Sequence, residues 1–379
     1  MVVYICSFTE RGALCEERLF RCFPEITWVS KRYGVATDGC PPLKNQIPPP
    51  INDFLAEAFR KRLPVVFIGS TGIAVRLSAD YVKDKCFDSP VIVMDTKQQF
   101  VIPLLSGHIG GANELACMFA ERLNAIPVIT TASDVEKKFA VDLFAKKNGF
   151  SILNRDALKY VTAKILCDQT VRIWIHPEIS FPADGIPSDV VVVSGETPPA
   201  DADIIVWPDE EFRGEYDNYH TVVLFPKLYC IGIGCKRGKR FDELQSFLSK
   251  SLPVSIVENM YAIASIDMKK SEIGLMELAQ YHHVPFLTYS ADALAAIPGN
   301  FSESQFVLEK TGVSNVCERS AVKCAGENQS ADWMEAARTG ADGVLVYRKI
   351  AGDGMTVAVA ERKPKIVTWK TNLTGDLWG

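Results

Sequence analysis

Side chains capable of acid–base chemistry are concentrated in one short stretch, residues 101–116. An apolar run that predicts a strand gives way there to a turn of small residues, and a helical pattern begins at Asn113. His108 lies in the turn and is its only side chain with an unperturbed pKa near neutrality, so it is the first candidate for moving a proton. Glu114, in the first predicted helical turn, is the second catalytic candidate.

The same turn suits an anion. Glycines allow backbone N–H groups to approach a ligand closely, and the first N–H groups of the following helix have no partners within it. A carboxylate, a phosphate or a developing oxyanion would fit there. A tight connection with a hydrogen-bonded histidine is the alternative interpretation of this pattern. We predict substrate contacts from Ser106, Gly107, Gly110, Gly111 and Asn113.

Four other segments, around residues 69–72, 127–134, 232–237 and 311–312, carry similar groups at predicted strand or helix ends. A strand at 127–134 is predicted to end in hydroxyls, and the Thr-Gly turn at 311–312 to start a helix. The alternative for the hydroxyls is helix capping, which also applies to Ser133 and Asp134. The further predicted substrate-binding residues are Gly69, Ser70, Thr71, Gly72, Thr130, Thr131, Gly232, Gly234, Cys235, Arg237, Thr311 and Gly312.

Two of these groups carry a more specific expectation. Loops after parallel strands gather at one edge of a sheet, so we expect Ser70, Thr71 and His108 to share one crevice. Arg237 follows a Gly-x-Gly strand end and is able to hold a carboxylate through two hydrogen bonds, with Lys236 as a second charge. Neither a G-x-G-x-x-G fingerprint nor a P-loop lysine follows these strands, so no nucleotide site is implied.

Composition limits the class of protein. The chain has 379 residues, which predicts two or three domains, and its net charge of -5 without a basic run argues against nucleic acid. Its 11 cysteines form no Cys-x-x-Cys pair, which argues against a zinc ribbon and favours a reduced cytoplasmic location. No signal peptide or membrane span is predicted, because apolar windows stay below about 18 residues.

Alternating strand and helix patterns predict a multidomain α/β fold, with mostly parallel open sheets, flanking helices and a small α/β middle domain. Two strands at 88–95 and 99–105 are joined by a short turn. A hairpin at 343–347 and 355–360 is predicted to close the fold. The predicted domains are 1–135 with the histidine loop, 136–226, 227–363 with the Arg237 loop, and a tail at 364–379.

Four motifs in this order resemble the cobalt-precorrin-5A hydrolase family of anaerobic cobalamin biosynthesis, and the resemblance covers about residues 2–362. They are Gly107-His-Ile-Gly-Gly-Ala-Asn-Glu-Leu-Ala116, Val128-Ile-Thr-Thr-Ala-Ser-Asp134, Ile231-Gly-Ile-Gly-Cys-Lys-Arg-Gly238 and Thr311-Gly-Val-Ser-Asn-Val-Cys-Glu318.

The resemblance implies a hydrolase that opens the lactone on the contracted macrocycle of cobalt-precorrin-5A and expels acetaldehyde, giving cobalt-precorrin-5B. Cobalt enters with the substrate, so no separate cofactor or metal is expected. The partner implied is this polycarboxylate corrinoid, with anion sites on the first and third predicted domains. His108 would activate water or protonate the departing oxygen, and Glu114 would orient it or replace it.

Two other functions fit the same patterns. One is a non-catalytic carrier of a corrinoid intermediate, and the other is an isomerase or kinase for a phosphorylated small molecule, which the missing P-loop lysine disfavours. Transient contact with the methyltransferases on either side of the step, and a homodimer, are left open.

Overall fold

The computed structural model describes residues 1–32, 50–84, 87–209, 220–327, 343–366 and 368–371. The chain divides into two compact units, Met1–Glu136 and Lys137–Asn372. Within the described part, none of the helices is both long enough and apolar enough to cross a membrane. The domain boundaries at 135, 226 and 363 stay predictions.

The first unit is built on one six-stranded sheet of order β2-β1-β3-β4-β5-β6, in which all neighbours are parallel except β4 and β5. Its elements are β1 (Val2–Ser7), α1 (Glu10–Cys22), β2 (Thr27–Arg32), α2 (Ile51–Arg60), β3 (Val65–Ile68), α3 (Thr71–Ser78), a 3₁₀ turn (Ala79–Tyr81), β4 (Val91–Met94), β5 (Phe100–Leu105), α4 (Ala112–Leu123), β6 (Ile126–Pro127) and α5 (Ala132–Val135).

Burial and capping explain why these segments form. All six residues of β1 are buried, because the strand lies between two neighbours in a parallel sheet that is covered on both faces. Helix α1 begins after Thr9, whose hydroxyl accepts a hydrogen bond from the Gly12 N–H at 3.1 Å. Phe23 and Phe119 meet edge to face in the core, with their ring centroids 5.0 Å apart.

The direction of β5 decides where the histidine loop lies. Val91 at the start of β4 pairs with Leu105 at the end of β5, because these two strands are antiparallel, whereas β3 and β4 are parallel. The loop after β3 is therefore at one edge of the sheet and the loop after β5 at the other. The prediction that Ser70, Thr71 and His108 share one crevice is wrong. The four residues of β4, a length of about 13 Å, separate the two loops.

The second unit contains two five-stranded sheets, of order β7-β11-β10-β8-β9 and β14-β13-β12-β16-β15. The elements of the first are α6 (Val141–Asn148), β7 (Phe150–Ile152), α7 (Arg155–Leu166), β8 (Val171–Ile175), β9 (Val190–Val193), β10 (Ile204–Val206) and β11 (Val222–Pro226). Those of the second are β12 (Tyr229–Cys235), α8 (Phe241–Ser251), α9 (Val254–Glu258), β13 (Met260–Ile266), a 3₁₀ turn (Asp267–Lys269), α10 (Ile273–Tyr281), β14 (Phe286–Tyr289), α11 (Ala291–Ala295), α12 (Gln305–Thr311), α13 (Cys317–Glu327), β15 (Val344–Gly352) and β16 (Met355–Glu361).

Three of the four strand pairs are parallel in the sheet that contains β7 to β11, and two of the four are parallel in the sheet that contains β12 to β16. Parallel pairs are the majority over the three sheets, so the predicted fold class is confirmed. The predicted closing hairpin is also present as β15 and β16. Part of the predicted tail is packed: Ile366 and Trp369 are buried in the core of the α6–β11 region. Asn148 fixes this segment by donating to the Thr368 carbonyl at 2.9 Å. Residues 372–379 lie outside the described ranges.

Candidate active site

The loop after β5 is closed by its own backbone. Ser106 adopts φ 55, its carbonyl accepts the Ala112 N–H at 3.1 Å, and its hydroxyl donates to the Asp88 carbonyl at 3.0 Å. A Cβ at Gly110 would lie 2.5 Å from the Ser106 Cβ, so only glycine fits there. The Ser106 side chain, predicted to contact substrate, is therefore used to hold the loop.

Two further glycines make room for the start of α4. A Cβ at Gly107 would lie 2.7 Å from Oδ1 of Asn113. Gly111 precedes α4 at φ 87, a left-handed conformation that favours glycine, and its N–H donates to the His108 carbonyl at 3.0 Å. Gly111 therefore serves the turn itself. These residues bring Asn113 beneath the histidine loop.

His108 is paired with a carboxylate. Its Nε2 lies 3.0 Å from Oδ2 of Asp134, and the two side chains are 15% and 5% exposed. The same oxygen accepts a hydrogen bond from Nδ2 of Asn113 at 2.8 Å. Asn113 also donates to the Thr131 hydroxyl at 2.8 Å. Residues from the loop, α4 and the start of α5 thus form one connected polar network.

This network is not a serine-nucleophile triad. The Ser133 hydroxyl is 3.4 Å from Nε2 of His108, the ring nitrogen that also faces Asp134. In a serine triad the hydroxyl and the carboxylate occupy opposite nitrogens of the ring. The arrangement instead suits a histidine that exchanges a proton with water or substrate.

The hydroxyl-rich segment differs from its predicted structure. A strand was expected at 127–134, but β6 pairs with β5 only at Ile126 and Pro127, and α5 follows. Thr131 occupies the N-cap position of α5 without a side-chain capping bond. Its hydroxyl accepts from Asn113 instead, so capping does not explain this side chain. Thr130 is exposed, and its predicted substrate contact stays a prediction.

Glu114 is buried in the first turn of α4, with 6% of its surface exposed. Burial raises the pKa of the nearby Cys117 thiol, and the charges of Asp134 and Glu114 raise it further. Both carboxylates therefore lie within electrostatic range of one thiol. The predicted catalytic role of Glu114 stays a prediction.

The Gly-Ser-Thr-Gly loop lies at the opposite edge of the first sheet. Ser70 precedes α3 without a side-chain capping bond, and Ser70, Thr71 and Gly72 are exposed while Gly69 is half-buried. The structure does not bring these residues to His108. Their role in binding a substrate anion stays a prediction.

The two glycines of β12 are explained by packing. A Cβ at Gly232 would overlap the Cys317 carbonyl oxygen and lie 2.8 Å from the Ala321 nitrogen, both in α13. A Cβ at Gly234 would lie 2.6 Å from the Thr356 hydroxyl.

Burial raises the pKa of the Cys317 thiol to about 11, so this thiol is protonated at neutral pH and is not a ready nucleophile.

Cations follow β12. Lys236 and Arg237 are exposed, whereas Cys235 is half-buried. The carboxylate of Glu272 lies beside this loop. It accepts a hydrogen bond from the Gly238 N–H at 2.9 Å and pairs with Lys269 at 2.9 Å. Although its burial opposes ionisation, those hydrogen bonds and the nearby Arg237 charge lower the pKa of Glu272. The loop is therefore a mixed-charge surface.

The Thr-Gly turn ends a helix, contrary to the prediction that it starts one. Thr311 is the last residue of α12, and its hydroxyl donates to the Val307 carbonyl at 2.8 Å. Gly312 terminates α12 at φ 77, and α13 begins only at Cys317. Both residues thus have a structural explanation.

Glu318 anchors this region from the first turn of α13. Its side chain is fully buried, and each carboxylate oxygen accepts two hydrogen bonds. Oε1 accepts from the Ser302 hydroxyl and the Lys349 N–H, and Oε2 accepts from the Ser302 N–H and Nδ2 of Asn315. Burial opposes ionisation, but these bonds prevail and lower the pKa of Glu318.

Glu318→Gln should lower the free energy of unfolding by about 3 kcal/mol at pH 7, because the amide nitrogen would face two donors in either orientation. The folded pKa is lowered, so this stabilisation is present above the unfolded pKa of about 4.3 and is lost as pH falls through the folded value. Urea unfolding at pH 7 and pH 3 tests this. Glu258→Gln, at an exposed position, should change stability by less than about 0.5 kcal/mol. An equal effect of Glu318→Gln at both pH values would contradict the assignment.

In the ranges described above, no group of three or more His, Cys, Asp or Glu side chains is arranged to hold a metal ion.

Fold and site together define a multidomain α/β protein with a histidine–carboxylate pair in a strand–loop–helix junction. Sequence models described as "Cobalamin synthesis G N-terminal" and "Cobalamin synthesis G C-terminus" match residues 53–134 and 229–360. The first match ends at Asp134 and includes the whole His108 network.

Two curated relatives agree with these matches. The chain is 33% identical over 282 residues to the cobalt-precorrin-5A hydrolase of Priestia megaterium, covering 72% of this chain and 75% of that protein. It is 36% identical over 271 residues to the enzyme of the same name from Salmonella typhimurium, covering 69% and 75%. The chain belongs to the cobalt-precorrin-5A hydrolase family.

Proposed function

We propose that this protein hydrolyses cobalt-precorrin-5A, opening its lactone and releasing acetaldehyde to give cobalt-precorrin-5B. Membership of the family supports the reaction. The pairing of His108 with Asp134 is the observation that supports this loop as its active site. Water adds its oxygen to the lactone carbonyl carbon as the carbon–oxygen bond breaks, which leaves a hydroxyethyl group on the macrocycle. Acetaldehyde then leaves when the bond between this group and the ring carbon breaks, the hydroxyl proton is lost and the ring carbon takes up a proton. Cobalt is part of the substrate, and we propose that the protein adds no cofactor of its own.

His108 is the proposed proton-transfer group. It takes a proton from the water that attacks the lactone carbonyl and returns one to the departing oxygen. The tetrahedral intermediate carries a negative charge on oxygen, which a backbone N–H of the loop would stabilise. Because the Gly111 N–H is already bonded to the His108 carbonyl, the N–H of Gly110 is the better candidate.

Arg237 is proposed to bind a carboxylate of the substrate, as an exposed guanidinium on the loop after β12. Arg237→Gln should raise KM by about three- to tenfold and leave kcat unchanged, because one charge-assisted contact in water is lost. The increase should shrink at high salt. Steady-state kinetics at two ionic strengths tests this. Lys250→Gln, at an exposed position of α8, should leave KM unchanged, and an Arg237 variant with unchanged KM would remove the residue from the binding surface.

The function is tested by mixing the full chain anaerobically with cobalt-precorrin-5A and measuring acetaldehyde with a coupled alcohol dehydrogenase. The absorption spectrum and product mass are followed in the same sample. Repeated turnover with equimolar acetaldehyde supports the hydrolase. Tight binding without acetaldehyde would favour the carrier, and no binding would refute both.

A further inference from the structure

We propose that Cys230 and Cys324 are a modification site, at which a hydroperoxide joins the two thiols in a reversible disulfide bond between β12 and α13. Both residues belong to the second unit. The inference goes beyond the hydrolysis and does not depend on the proposed function, because the bond forms and is detected without substrate.

The spacing of residues on both elements brings the two cysteines to one contact surface. Side chains two positions apart on a strand face the same side of the sheet, so Cys230 shares the face of β12 on which Gly232 meets α13. On the helix, Ala321 and Cys324 are three positions apart and share one face. A Cβ at Gly232 would lie 2.8 Å from the Ala321 nitrogen, so the absence of a side chain there lets the helix backbone lie close to the strand.

The distance between the two sulfurs suits a bond. The Sγ atoms of Cys230 and Cys324 are 3.1 Å apart, although the residues are 94 positions apart in the chain. A disulfide bond is about 2.05 Å long, so the sulfurs need to approach by only about 1 Å. Both cysteines are fully buried in one hydrophobic cluster.

A buried arginine distinguishes this pair from two cysteines that only fill space. Arg362 is 2% exposed, its Nη1 donates to the Lys227 carbonyl at 3.0 Å, and its guanidinium carbon lies 3.8 Å from the centre of the Tyr261 ring. Within the described chain no carboxylate pairs with Arg362, and its Nε has no hydrogen-bond partner. Burial lowers the pKa of Arg362, and the charges of Tyr261, Cys230 and Cys324 raise it. Both thiols are therefore within electrostatic range of this cation.

The arginine charge favours the reactive form of a thiol. A guanidinium stays protonated at neutral pH, and burying it without a counter-charge is costly. A thiolate on either cysteine supplies that counter-charge, and the thiolate, rather than the thiol, reacts with oxidants. Two adjacent sulfurs and a nearby cation together make a site for oxidation.

The reaction balances with hydrogen peroxide as the oxidant. One thiolate attacks a peroxide oxygen, the oxygen–oxygen bond breaks, and a sulfenic acid and hydroxide form. The second sulfur then attacks the sulfenic sulfur, and the hydroxide that leaves combines with the thiol proton to form water. Two thiols and one peroxide thus give one disulfide and two waters. Because both cysteines are 0% exposed, the peroxide reaches them when α13 opens briefly from β12.

Peptide mapping of the full chain tests the bond. The protein is treated with excess hydrogen peroxide, quenched in acid, alkylated in urea, digested and analysed by mass spectrometry without reductant. We expect one pair of peptides joined through Cys230 and Cys324, with the mass of two hydrogens lost, and dithiothreitol should separate them. Cys167 is exposed and reports that the peroxide has acted. Oxidation of Cys167 without the joined pair would overturn the proposal.

Four variants test the site and the charge beside it. Cys324→Ser should abolish the joined pair, whereas Cys167→Ser, the matched control, should retain it. Arg362→Gln should slow formation of the bond by about tenfold, and Arg362→Lys, which keeps the charge, should restore most of the rate. Equal rates for the wild type and Arg362→Gln would overturn the role of the arginine. The map of the wild type decides whether the bond forms, even if an arginine variant does not fold.

Discussion

His108→Ala should lower kcat by about 10²–10⁴-fold and change KM little. The substitution removes the only side chain of the loop that exchanges a proton near neutral pH, and it leaves in place Arg237, the residue proposed to bind a carboxylate of the macrocycle. The histidine is 15% exposed and paired with Asp134, so it is both reachable and oriented. Acetaldehyde release under saturating substrate measures the change.

His220→Ala is the matched control for this substitution. His220 is an exposed residue whose ring lies against Tyr160 in the second unit, and its loss should leave kcat unchanged. Unfolding curves should show that both variants are folded. A His108→Ala protein with kcat within about threefold of wild type would remove His108 from the proton transfer.

Gly232→Ala should lower the free energy of unfolding by about 3 kcal/mol or more. The added methyl would overlap the Cys317 carbonyl oxygen, a backbone atom of α13 that moves only if the helix moves. Overpacking of this kind typically costs about 1–3 kcal/mol, and a backbone obstacle puts the substitution at the upper end. Chemical unfolding of the full chain, followed by far-UV circular dichroism, measures the loss.

Gly238→Ala provides the comparison, because this glycine has φ 80 but no atom within 4 Å of a built Cβ. It should cost only about 1 kcal/mol, the strain of a left-handed residue without a clash. Similar losses for the two variants would show that packing against α13 is not the reason for glycine at position 232.

The fold class and the turn of the histidine loop could both be predicted from the sequence, because both depend on local patterns. Alternating strand and helix patterns gave the fold class, and the small residues before Asn113 gave the turn. The shared crevice failed because it depended on strand direction. The short turn between β4 and β5 indicates that these strands are antiparallel. Parallel strands need a crossover of about a dozen residues, and only four residues separate Asp95 from Phe100.

The sequence pattern favours helix capping over catalysis for Asp134, although in the structure this residue is the partner of His108. The two residues are 26 positions apart, and nothing in local spacing joins them. The motif that ends at Asp134 is the sequence signal for a polar site, because it groups Thr131, Ser133 and Asp134 after β6. Likewise, Gly232 was predicted to face substrate, since a sequence cannot distinguish a glycine that admits a ligand from one that admits a helix.

The antiparallel course of β5 also separates two parts of the first unit energetically. Residues far apart with no shared partner contribute to free energy almost independently. The loop at Gly69–Gly72 and the loop at His108 stand at opposite edges of the sheet, with the length of β4 between them. Substitutions in the Gly69–Gly72 loop should therefore change little at the His108–Asp134 pair.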